Sequence, residues 1–179
     1  MILNNYWNYR AYFDRTRCTG SESIASIPGF YDIQGGNTQV VVGLNGGYVD
    51  SGRMIPLSEN RCSRLRLGAY LSSSTADPVA SAYMITDDIT SNFSNIVTNT
   101  NTYTDGNAIK TVIVVTGDNT SGSSQTIGSV GIYKLMHFST TSTEQEYLTP
   151  FLMLIHKLSS TITVPAGEGF SIPLEWIEQ

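Results

Sequence analysis

Two histidines, His137 and His156, are the natural starting points for acid–base chemistry near neutral pH in this sequence. His137 lies in Lys134-Leu-Met-His-Phe138 and His156 in Leu154-Ile-His-Lys157. Serines are abundant, but no Gly-x-Ser-x-Gly elbow presents one as a nucleophile, and no motif supplies the third member of a Ser-His-Asp set. Both histidines therefore read as structural or interface residues. Glycoside hydrolysis needs two facing carboxylates, and nothing in the spacing of Glu144 with Glu146, or of Glu168 with Glu175, sets either pair face to face.

Hard cations want several oxygen ligands converging from a turn. Asp87-Asp88, Asp105-Gly-Asn107 and Asp118-Asn119 are the candidates, none with EF-hand spacing, and Asx-rich turns also form for conformational reasons alone. Cys18 and Cys62 stand 44 residues apart, matching no zinc or redox motif, and read as small reduced core residues. Gly43-Leu-Asn-Gly46-Gly47 sits between strand-like runs, whereas a phosphate cradle opens a helix. Asn92-Phe-Ser94 and Asn119-Thr-Ser121 match the glycosylation pattern, as expected by chance in so Asn- and Ser-rich a chain. No catalytic residue, cofactor or metal is expected, and the reading is that this is not an enzyme.

The elements that must hold the chain together are strands. Thr111-Val-Ile-Val-Val-Thr-Gly117, Ile127-Gly-Ser-Val-Gly-Ile-Tyr133, Phe151-Leu-Met-Leu-Ile155 and Ile162 to Ile172 are short, β-branched or aromatic, and bounded by turn residues. Pro165-Ala-Gly-Glu168 predicts a tight turn, after which Phe170, Ile172, Leu174 and Trp176 alternate on one face. Upstream, Gln39–Leu44, the turn Asn45-Gly-Gly47 and Tyr48-Val49 predict a hairpin, because Asn-Gly adopts the positive φ of a type I′ turn. Arg64 to Leu71 alternates charge and leucine, and Val79–Ile85 is the next expected strand. Thr19–Gly36 reads as loop, and Asp87–Gly106, rich in Asn and Thr, as a long exposed connection. The sum is an all-β chain of eight or nine strands: one antiparallel β-sandwich or jelly-roll-like domain over 37–179, preceded by an N-terminal arm and loop over 1–36.

The arm is dense in aromatics. Tyr6, Trp7, Tyr9, Tyr12 and Phe13 either cap the open end of the β-core or dock on a neighbouring subunit, where such rings bring large contact area at low entropic cost. These five, with Trp176, are the interface candidates.

Only 14% of the residues are charged, against about 25% in ordinary soluble proteins, so the surface is polar but largely uncharged. Desolvating hydroxyls and amides costs less than desolvating charges, which suits subunits packed against one another and also suits sugar-binding modules. A net charge of −5 argues against nucleic acid as partner. Seven of the ten basic residues do fall within the first 66 positions, and they read as interface or strand-edge arginines, with an anion or DNA contact as the alternative. No window approaches the ~18 apolar residues of a membrane span, and the N-terminus has no basic region leading into an apolar run, so synthesis in the cytoplasm and no membrane are expected.

Three segments together carry a resemblance: Ser129-Val-Gly-Ile-Tyr133, the apolar strand Phe151–Lys157, and Pro165-Ala-Gly-Glu168 leading into a closing strand. Over about residues 110–179 the chain resembles the C-terminal module of many small tailed-bacteriophage virion proteins, with His156-Lys157 where an Arg-Asp pair is frequent. The resemblance implies a structural virion component of the tail, neck or capsid exterior. Its partners would be copies of itself and other virion proteins, and it would be located in the virion after synthesis in the host cytoplasm. The alternative function is a carbohydrate-binding β-sandwich for host-surface adhesion, with a host glycan as partner and exposed aromatic rings stacking on sugars.

Overall fold

A computed structural model of the chain describes residues 1–8, 23–26, 39–42, 67–105, 108–140 and 143–178. Among the described residues there are eight strands: β1 Ser23–Ser26, β2 Gln39–Val42, β3 Leu67–Ser72, β4 Phe93–Asp105, β5 Ala108–Asn119, β6 Gln125–Thr140, β7 Thr143–Val164 and β8 Gly169–Glu178. A short helix, α1, covers residues 4–8. β1 pairs with β2, while the others form two three-stranded sheets in the orders β3-β6-β7 and β4-β5-β8, every pairing antiparallel. The expected all-β sandwich is present. The chain passes between the two large sheets after β3, β5 and β7, so the hairpins β4-β5 and β6-β7 each stay within one sheet.

Period-two alternation explains the core. Along β5, Ile113 and Val115 point inward and meet Phe93 of β4 and Ile172 and Leu174 of β8. From the other sheet come Leu71 of β3, Ile127, Val130 and Ile132 of β6, and Phe151, Met153 and Val164 of β7. A register shift opposite Ile132 and Tyr133 leaves Met153 unpaired between Leu152 and Leu154, so Met153 and Leu154 both join the central core while Leu152 turns to the outer face.

The two ends of the crossovers are tied by one side chain. Asn119, fully buried, donates through Nδ2 to the carbonyls of Ser123, Val164 and Pro165 at 2.8–3.0 Å, while its Oδ1 accepts from the Ser121 N–H and hydroxyl. Its own N–H donates to Glu168 O, and Gly167 N–H donates to Asn119 O. The turn expected at Pro165–Glu168 is there. Glu168 N–H closes on Pro165 O at 3.2 Å, and Gly167 takes the positive φ, 81°, that the third position of a type II turn demands.

Three expectations need correction. Val79–Ile85 is no strand: Ala82 N–H turns back to Val79 O, and Ala80 O is taken by Asn4 N–H. Most of Asp87–Gly106 is not a loose connection but the 13-residue edge strand β4, whose local Asn and Thr preferences yield to pairing with the apolar β5. Only its start is irregular, with a bulge between Ser94 and Val97 where Asn95 takes φ 52° and bonds Asp118. Within Thr19–Gly36, Ser23–Ser26 is a strand and pairs with Gln39–Val42, the first strand of the expected hairpin. The hairpin's turn and second strand lie outside the described residues. So do Cys18, Cys62 and the arginines up to position 66.

Candidate interaction surface

The outer face of the β3-β6-β7 sheet is covered by the chain itself. Ile127–Ile132 of β6 and Phe151–Ile155 of β7 are buried on both sides, as strands are when a second layer lies over them. That layer is made of residues 1–8 and of the segment 73–88. Leu3 is fully buried against Leu152 and Ile155, with Tyr70, Ala82 and Tyr133 packed around them. Backbone bonds seat it: Leu3 N–H donates to Met153 O at 3.0 Å, Ile155 N–H to Met1 O at 3.0 Å, and Asn5 Nδ2 to Leu152 O at 3.1 Å. Asn4 N–H donates to Ala80 O at 2.7 Å, so the two covering segments are joined to each other.

The sheet is shaped to receive this layer. A Cβ on Gly128 would stand 2.5 Å from the Ser74 carbonyl oxygen, and one on Gly68 would stand 2.1 Å from the Cζ and hydroxyl oxygen of Tyr133. Tyr133 thus lies across Gly68 and meets Tyr70 at 4.6 Å between ring centres. Beside them a pocket of about 200 Å³ is lined by Tyr70, Met84, Ile85 and Asp88. Burial pushes the Tyr70 hydroxyl up to about 12, with Tyr133 and then Asp88 adding to the rise, so it stays a neutral phenol. Asp88 is engaged as a turn cap, accepting from the Thr90 N–H at 2.8 Å and from the Thr90 hydroxyl.

This layer also carries exposed large apolar side chains among polar ones. Of seven large apolar residues exposed among the described residues, five lie on these two joined segments: Met1, Trp7, Val79, Tyr83 and Met84. Tyr6, by contrast, is only 7% exposed and belongs to this chain's own core, with the Trp7 ring edge-on to it at 5.1 Å. Trp7 itself is 48% exposed. Tyr9, Tyr12 and Phe13 lie outside the described residues, as does the side chain of Trp176, whose backbone is in β8 opposite Thr111. Sequence reasoning missed Val79, Tyr83 and Met84, because a strand would have turned alternate members inward. The signal against a strand was Ala76-Asp-Pro78 immediately before them.

The residues considered for chemistry serve other ends. Asp118 accepts from Asn95 Nδ2 at 2.8 Å. Among the described residues no three His, Cys, Asp or Glu converge to hold a metal ion. His156 is half-buried, and desolvation, then the chain's amino-terminal charge, hold its pKa below the usual value. Lys157 pairs with Asp77 at 2.7 Å, at the position where the resemblance would place an acidic residue. The Asn119 sequon is closed by burial, since its Nδ2 is spent on three carbonyls. No described helix is long and apolar enough to cross a membrane.

What the fold defines is an antiparallel all-β sandwich in which the chain's own segments cover one sheet. Comparison with protein-family models, curated proteins and solved structures gives no match.

Proposed function

We propose that this chain is a non-enzymatic structural protein of a tailed-bacteriophage virion, assembling with copies of itself and with other virion proteins in the tail, neck or capsid exterior. The observation that carries the reading is the gathering of Met1, Trp7, Val79, Tyr83 and Met84 on one side of a weakly charged molecule. Apolar clusters of this kind, when larger than a few hundred Å², mark interaction sites. The resemblance of residues 110–179 to a virion module supports it from a separate direction.

The test is the solution mass by light scattering of the wild type and of a Trp7→Ser, Met84→Ser double variant, alongside a glycan-binding screen. Removing residues 1–17 would extract Leu3 and Tyr6 from the interior, so point substitutions are the cleaner probe. Assembly expects an oligomer whose mass falls in the double variant, with no glycan bound. Unchanged mass in the variant, or glycan binding that Trp7→Ser abolishes, overturns it, the latter in favour of an adhesion module.

A further inference from the structure

We infer that the pocket beside Tyr70 takes the primary ammonium head of an aliphatic amine, as carried by a lysine side chain or by a free diamine. This inference does not rest on the virion reading. The pocket, about 200 Å³, far exceeds the about 10–15 Å³ that a single water needs. Its walls are mostly apolar, supplied by Met84, Ile85 and Tyr70, and Asp88 is the charge among them. Backbone bonds fix these groups before any ligand arrives. Asp88 bridges to Ser72 of β3, with Ser73 N–H donating to Asp87 O at 3.1 Å and Ile89 N–H to Leu71 O at 2.9 Å. Tyr70, on the same strand, is held by its ring contact with Tyr133. Gly131 leaves room for Ile85, since a Cβ there would stand 3.2 Å from Ile85 Cδ1.

The occupant follows from what the pocket's polar groups lack. Both hydrogen bonds that Asp88 accepts from Thr90 go to Oδ1. Among the described residues Asp88 Oδ2 has no donor, its carboxylate has no cation, and the Tyr70 hydroxyl has no hydrogen-bond partner. Lys110 and Lys157 are engaged elsewhere, with Glu175 and Asp77. After burial and Tyr133, the Asp88 charge also raises the Tyr70 pKa, so carboxylate and hydroxyl lie within electrostatic reach of one another and the phenol oxygen stays neutral. An anion would be repelled by Asp88. A wholly apolar ligand would strip water from the carboxylate and the phenol and give no hydrogen bond in exchange. A sugar carries hydroxyls all round its ring, and Met84 and Ile85 offer them no strong partner. An ammonium has three donors and no acceptor, which matches Asp88 Oδ2 and the Tyr70 oxygen, while its aliphatic stem covers Met84 and Ile85.

Methyl NMR on the full chain tests this, following the Met84 and Ile85 signals while cadaverine, Nα-acetyl-lysine amide or Nα-acetyl-norleucine amide is added. The norleucine compound keeps the stem and lacks the ammonium. Asp88→Asn removes the charge while its side-chain oxygen can still accept from Thr90, so the turn is kept. An amine of either source is expected to shift both methyl signals to saturation, and the tighter of the two gives the source, a partner protein's lysine or a free diamine. Asp88→Asn should weaken binding at least about tenfold, as should exchanging the lysine compound for the norleucine one. No shift at Met84 and Ile85 with either amine overturns the inference. So does a folded Asp88→Asn protein that binds as tightly as wild type, or a norleucine compound that binds as tightly as the lysine one.

Discussion

The two outer faces of the sandwich solve the same problem differently. On β3-β6-β7 the chain supplies its own cover: Leu3 fills the space over Leu152 and Ile155, and Gly128 and Gly68 lack side chains where the Ser73–Ser74 backbone and the Tyr133 ring come close. On β4-β5-β8, Val112 and Val114 of β5 point outward and stay partly exposed beside the exposed Val97 and Pro173. Apolar residues covered within the chain contribute to folding stability, while those left exposed contribute little to it. The same kind of residue therefore contributes differently on the two sides.

Substitutions can break or sharpen this contrast. The largest effect is expected where both sheets are joined: Asn119→Ala strands three carbonyls and the Ser121 donors, and should cost about 3–4 kcal/mol in urea unfolding. On the covered face, Leu3→Ala should cost about 3 kcal/mol by the same measurement, since it empties a fully buried site. Gly128→Ala forces the Ser73–Ser74 backbone away and should cost about 2 kcal/mol, read as a lowered melting temperature. On the bare face, Val97→Lys should change the unfolding free energy of the dilute protein by no more than about 0.5 kcal/mol. A large loss there would erase the contrast.

The smallest effect is a pH dependence on the covered side. The folded-state pKa of His156 lies below its unfolded value of 6.5, so the unfolded chain takes up the proton more readily. Stability is then full above about 6.5 and falls as pH drops toward the folded-state value. Unfolding curves at about pH 7 and about pH 5 should show this decline, and His156→Gln should flatten it.

The C-terminal strands were legible because β-branched runs and turn residues agree there with the fold, down to Gly167 at the turn. β4 was hidden because Asn99, Asn101 and their threonine neighbours favour local bonds. Only the Val and Ile of β5, distant in the reading but adjacent in the sheet, override that preference. Val79–Ile85 misled in the opposite sense: its composition suits a strand, yet its backbone is engaged by Asn4 and by its own turn. Trp7 was legible as a surface candidate from residue type. Tyr6 was not separable from it, since only the seating of Leu3 on β7 decides that one ring faces the core and the next faces out.

Hydroxyl-radical footprinting of the wild type tests the contrast most directly. Val97, Pro173 and Tyr103 should be labelled, while Leu3 and Leu152 stay unlabelled. Labelling of Leu3 or Leu152 as strong as that of Val97 would contradict the claim that the chain covers one outer face itself and leaves the other exposed.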